Sequence, residues 1–154
     1  MGNHEIKFLQ VVNGLSPASP SMQKVIDQMG SDVKKWSHWI QTWPSFIEDE
    51  EFIVVHGGLI PGSPLAETPK EILANIRTWD GEGLDLNNEA DPAWHDLYQE
   101  NKLVVYGHWA VQGLHVKQNS IGLDSGCVYG RELSAVILPE RKIVQVPAKK
   151  THSI

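Results

Sequence analysis

Two short apolar runs in this sequence end abruptly on a glycine and a histidine. Phe52-Ile53-Val54-Val55 stops at His56-Gly57-Gly58, and Leu103-Val104-Val105-Tyr106 stops at Gly107-His108. An imidazole nitrogen is a good donor to zinc, iron and manganese-type ions, and oxygen donors suit the harder ones. A glycine next to such a histidine lets backbone and ligand approach closely. Near the start, Gly2-Asn3-His4-Glu5 adds the neutral oxygen of an amide. Asn3, His56 and His108 together could hold one divalent ion and leave a position for water or phosphate.

Such a site needs rigid strand ends, and the carboxyl ends of strands are where ligands gather in layered folds. The two runs are apolar and β-branched, the pattern of buried strands. Ile121 to Asp124, Leu133 to Leu138 and Ile143 to Val146 are three further strand candidates. Val33, Trp36, Ile40 and Trp43 recur at helical steps, with Ser31 as a cap and Pro44 as a stop. Thr68-Pro69-Lys70-Glu71 starts another helix, with Thr at N-cap, Pro at N1 and Glu at N3. Ile72, Leu73 and Ile76 face its core side, and Arg77 closes it. The first ten residues, the stretch from Ser16 to Ser21 and residues 80–92 read as loops, and the acidic run Glu48 to Glu51 as a solvated turn. Helices early and closely spaced strands later predict an α+β fold, or a sheet sandwich with flanking helices.

The motifs gain force from their order. Gly2-Asn3-His4-Glu5, Val55-His56-Gly57-Gly58-Leu59, Tyr106-Gly107-His108 and Leu123-Asp124-Ser125-Gly126-Cys127 resemble the later motifs of the phosphoprotein-phosphatase branch of the calcineurin-like metallophosphatases. Gly107-His108-Trp109-Ala110, Pro92-Ala93-Trp94 and the run from Leu123 to Val136 look most like symmetrical diadenosine tetraphosphate hydrolases. The resemblance implies a four-layer α/β/β/α sandwich, of which residues 1–154 are the C-terminal portion, without the N-terminal strands and helices. It implies Asn3, His56 and His108 as ligands of the second metal and His4 as the histidine that protonates the leaving oxygen. Arg77 matches an arginine that binds the phosphate. Glu5 supports the Asn-His turn, and the turn from Asp124 to Tyr129 lines the site without coordinating. Two metal ions (Mn, Fe or Zn) would activate a hydroxide and hold the phosphate, with at most one of them bound by this chain. A dinucleoside polyphosphate is the expected substrate, with a serine/threonine phosphoprotein as the alternative. A third reading is a catalytically inactive fragment that binds phosphate or a partner.

The family's Asp-x-His and Gly-Asp-x-x-Asp-Arg-Gly motifs have no counterpart here: no Asp stands two before a His, and no Gly-Asp pair occurs. Met1 therefore reads as an interior residue, and a missing N-terminal half or an oligomer is expected to complete the site. Poor solubility or oligomerisation of the isolated chain follows from the same reading. The net charge of −6, from 19 acidic and 13 basic side chains, argues against a nucleic-acid partner. No apolar run approaches the ~20 residues of a membrane-spanning helix. A single cysteine, Cys127, rules out an internal disulfide and suits a reducing cytoplasm. Cys127 is expected to be a small buried hydrophobe. His38, His95, His115 and His152 stand outside any motif and are expected at the surface or core edge. The tryptophans at 36, 39, 43 and 79 are expected to pack, with Trp109 as a wall of the site.

Overall fold

In the computed structural model, which describes residues 1–153, the two β-branched runs form neighbouring parallel strands. They are β2 (Phe52–Val55) and β3 (Leu103–Tyr106), flanked by β1 (Phe46–Glu48), β4 (His115–Val116) and β5 (Ser120–Gly122). The sheet order is β1-β2-β3-β5-β4, with β2, β3 and β5 parallel and the two outer strands antiparallel to their neighbours. A separate antiparallel hairpin joins β6 (Glu132–Ile137) to β7 (Lys142–Pro147).

Successive residues of a strand point to opposite faces, and β3 uses both. Val104 and Tyr106 join Ile53, Val55, Leu73, Ile76 and Trp94 in one core. Leu103 and Val105 join Ile121, with Val136, Leu138 and Ile143 of the hairpin packed on them. The sheet is thus covered on one side by α4 (Lys70–Asn75) and α5 (Trp94–Leu97) and on the other by the hairpin. This mixed arrangement of helix, sheet and sheet agrees with the expected sandwich class. All of β3 is buried, as its composition predicts, but Val54 of β2 is exposed beside Ile47 of β1. The hairpin covers β3 and leaves that corner of the sheet open.

The first correction concerns the N-terminus. Residues expected as a loop form α1 (Asn3–Val12), which buries Ile6, Phe8 and Leu9. Its start is stabilised by Glu5, whose carboxylate accepts the Gly2 N–H at 3.0 Å. α1 packs with α2 (Pro20–Met29) and α3 (Val33–Ile40) around Phe8, Leu9 and Ile40. Ser19 caps α2 by accepting the Met22 N–H, and Pro20 occupies the first turn, so the expected 16–21 loop ends in a helix start. Ser31 is not the cap of α3, because a 3-10 turn over Gly30–Asp32 leads directly into it. Thr68 is not a cap either: α4 starts one residue later, and the Thr68 hydroxyl donates to the Pro64 carbonyl. Trp36, Trp39 and Trp43 stack edge to face, with Trp36 and Trp39 partly exposed rather than packed inside.

Trp94 is the centre of the larger core, fully buried against Tyr98 and Tyr106. It explains Gly58, since a Cβ there would lie 2.3 Å from the Trp94 Nε1. The indole thus demands a glycine in the His-Gly-Gly turn that carries His56. No helix among the described residues is long and apolar enough to cross a membrane.

Candidate active site

Because β2, β3 and β5 run parallel, their carboxyl ends lie side by side. His56 follows β2 directly, His108 stands two residues after β3, and Asp124 two residues after β5. The two Gly/His turns are tied together by the Gly107 N–H, which donates to the His56 carbonyl at 2.8 Å. His108 adopts a left-handed backbone with φ of 64°, a conformation rare outside glycine and asparagine. Its ring centroid lies 5.3 Å from that of His56. α1 brings its first residues to the same place, and the Asn3 Oδ1 is 3.0 Å from the His56 Nε2.

These residues open on a cavity of about 480 Å³ that also takes in His4, Arg77 and Asp124. All five residues assigned a role from the sequence (Asn3, His4, His56, Arg77 and His108) therefore line one space. Arg77 arrives there from just past the end of α4. The Arg77 and Thr78 N–H groups both donate to the Leu86 carbonyl, which the 80–92 loop supplies. That loop folds around Asp80, whose carboxylate accepts backbone N–H groups from Glu82, Gly83, Leu84 and Asp85. Those bonds hold the Asp80 pKa down to about 2.

The electrostatics run against the whole-chain charge. The cavity lining carries two guanidinium groups and three imidazoles against one carboxylate, Asp124. Among the described residues, no carboxylate lies within ion-pair distance of Arg77 or Arg131. The Arg77 Nε is buried and has no hydrogen-bond partner. A buried donor of this kind is costly unless an anion meets it. Burial lowers the pKa of His56, opposed by Glu5. Burial also lowers that of His108, to about 4, with the positive charge of Arg77 pushing the same way. Both rings are thus neutral, the form that ligates metal.

The donor set fits a divalent ion. Two donors each about 2.1 Å from one ion are about 3.0 Å apart in octahedral geometry and about 3.4 Å apart in tetrahedral geometry, and the Asn3 Oδ1 and His56 Nε2 stand 3.0 Å apart. Among the described residues there is no cluster of three His, Cys, Asp or Glu side chains able to hold an ion; the third candidate donor is the amide oxygen of Asn3.

Asp124, Val128 and Tyr129 line the cavity as expected for their turn. Trp109 does not: Ala110 and Val111 take that wall, and the Trp109 ring lies 6.0 Å from His95. The left-handed turn at His108 separates the two side chains. His95 itself is buried, not at the surface, between Tyr106 and His115. Arg131 is the lining residue that sequence reasoning missed. It follows Gly130 with no spacing to mark it, and only the fold brings it beside His108.

The comparisons with known proteins follow this geometry. No family profile matches the chain. It is 24% identical to the symmetrical bis(5'-nucleosyl)-tetraphosphatase of Nitrosomonas europaea, over 96% of the chain and 75% of that protein. It is 28% identical to the corresponding protein of Paraburkholderia phymatum, over 95% of the chain and 73% of that protein. A crystal structure assigned as a diadenosine tetraphosphatase superposes with a TM-score of 0.79 at 30% identity, covering 96% of the chain and 66% of that protein.

Proposed function

We propose that the chain is a member of the calcineurin-like metallophosphatase superfamily, to which its similarity to these tetraphosphatases points, and that it hydrolyses a phosphate anhydride of a dinucleoside polyphosphate with the help of a divalent metal. One observation carries the reading. Asn3, His4, His56, Arg77 and His108, drawn from four separate stretches of sequence, line one cationic cavity in an acidic protein. Asn3, His56 and His108 would hold an ion of the manganese, iron or zinc type, which when bound would supply Lewis-acid polarisation of a phosphoryl oxygen and a lowered pKa of water.

The remaining chemistry belongs to the chain. The Arg77 guanidinium, with its unpaired Nε, holds the non-bridging oxygens of the phosphate. His4 stands on the first turn of α1 and delivers a proton from its ring to the departing oxygen. Neutral His56 and His108 leave their lone pairs for the ion instead of competing for protons. The carboxylates that would hold a second ion are not supplied by any motif in residues 1–154.

The test is hydrolysis of diadenosine tetraphosphate and a phosphoserine peptide at equal concentration, with manganese and zinc supplied in turn. Metal-dependent release of ADP is expected to dominate. A strong preference for the peptide would replace the nucleotide reading with the phosphoprotein one. A second reading, binding without turnover, is favoured by the lack of a third ionisable ligand among the described residues. Metal titration run beside the hydrolysis assay separates the two: an ion bound with no release of ADP leaves the binding reading standing, and metal-dependent release of ADP removes it.

A further inference from the structure

The cavity is larger than one phosphate requires. Its volume of about 480 Å³ would hold roughly sixteen waters at ~30 Å³ each. Two of the loops that line it carry side chains the chemistry above does not use. One carries Val111, which is 82% exposed. The other carries Tyr129, 48% exposed, and Arg131.

These groups are held in place rather than free. Tyr129 lies on the 3-10 turn Cys127–Tyr129, bracketed by the left-handed glycines Gly126 and Gly130, with φ of 74° and 83°. The Arg131 stem crosses Gly126 so closely that a Cβ there would stand 3.0 Å from its Cδ. The Arg131 Nη1 donates to the Ala110 carbonyl at 3.2 Å, which anchors the guanidinium to the loop that follows His108. A guanidinium has five N–H donors, so others remain for an anion. Tyr129 lines the same cavity with a half-exposed aromatic ring, the partner that a nucleobase stacks on.

We infer that Arg131 and Tyr129 form a second subsite that takes a nucleoside diphosphate: Arg131 holds the phosphate next to the scissile one, and Tyr129 stacks on the base. The inference rests on the functional reading above for the position of the first phosphate, on Arg77. It makes Arg131 and Tyr129 the residues that separate nucleotide substrates from simple phosphate esters. Arg77 serves both.

Calorimetric titration of the full chain with ADP and with inorganic phosphate, without added metal, tests this. ADP is expected to bind at least about tenfold more tightly than phosphate. Arg131→Ala is expected to weaken ADP about tenfold and Tyr129→Ala about fivefold, with phosphate within twofold of wild type in both. Arg77→Ala weakens both ligands. Equal weakening of ADP and phosphate by Arg131→Ala, or ADP no tighter than phosphate, overturns the inference. Should Arg131→Ala fail to fold, judged by its circular dichroism melt, Arg131→Gln is used in its place. The ratio of the two affinities does not depend on turnover. Loss of metal-dependent hydrolysis would therefore defeat the functional reading separately.

Discussion

Asn3 and His56 sit 53 positions apart in sequence, yet their polar atoms meet at 3.0 Å. The pair is joined by a hydrogen bond, and in the proposed function the same two atoms would serve as ligands of the ion. His56→Ala or His108→Ala should therefore lower affinity for manganese or zinc by more than about 100-fold, read by isothermal titration. His4 lines the same cavity, and the proposed mechanism gives it the proton rather than the ion. His4→Ala should leave metal affinity within twofold while turnover of the complete enzyme falls about 10²–10⁴-fold. Equal loss of metal binding in His4→Ala would move that residue into the ligand set. Gly58 is constrained by packing alone. Gly58→Ala drives a methyl into the Trp94 ring and should cost about 1–3 kcal/mol in urea denaturation, by overpacking.

The elements differ in how plainly the sequence announces them. β2 and β3 are legible because four apolar residues in a row, ended by glycine, leave few alternatives to a buried strand. His56 and His108 are legible for the same reason, as they sit where such strands stop. α1 is hidden because only Ile6, Phe8 and Leu9 face inward, and a Gly-Asn-His start reads as a turn. Arg131 and the burial of His95 depend on contacts between distant loops, which no local pattern encodes. His95 shows what such a contact does. It lies between Trp94, Tyr106 and His115, takes a hydrogen bond from Gln112, and has Asp96 and Lys117 nearby. Burial, aided by the charges of Lys117 and His115, lowers its pKa from 6.5 to about 4. The unfolded chain therefore takes up a proton between pH 6.5 and 4 that the folded chain refuses, so stability falls as pH drops through that window and does not change further below it on this group's account. His95 should contribute about 3 kcal/mol to that fall. His95→Gln keeps an acceptor for Gln112 and should show a shallower decline in Tm between pH 7 and 4, with His56 and His108 supplying the remainder. An unchanged slope would mean that His95 is protonated in the folded state.

Across the whole molecule, apolar surface is distributed unevenly. The inner face of the hairpin closes the core over β3, but its outer face is apolar too. Leu133 pairs with Val146 across the two strands, and they are 61% and 58% exposed. Ala135 pairs with Val144 next along, and Ile137 continues the stripe. On the sheet itself, Ile47 and Val54 form a second exposed pair. A contiguous apolar face of this kind is normally covered, and left open it draws copies together. The net charge of −6 opposes that by long-range repulsion, which is screened beyond ~8 Å at physiological ionic strength. Self-association should therefore grow with salt as well as with protein concentration, the reverse of an association held by ion pairs. Sedimentation velocity at 50 and 500 mM NaCl reads this directly. Leu133→Lys combined with Val146→Lys places two charges on the stripe without touching the core, and should shift the chain toward monomer at both salt concentrations. Ile47→Lys with Val54→Lys separates the second patch from the first. A chain that sediments as a monomer at both salt levels would show that neither patch drives association, and that the hairpin tolerates its exposed face.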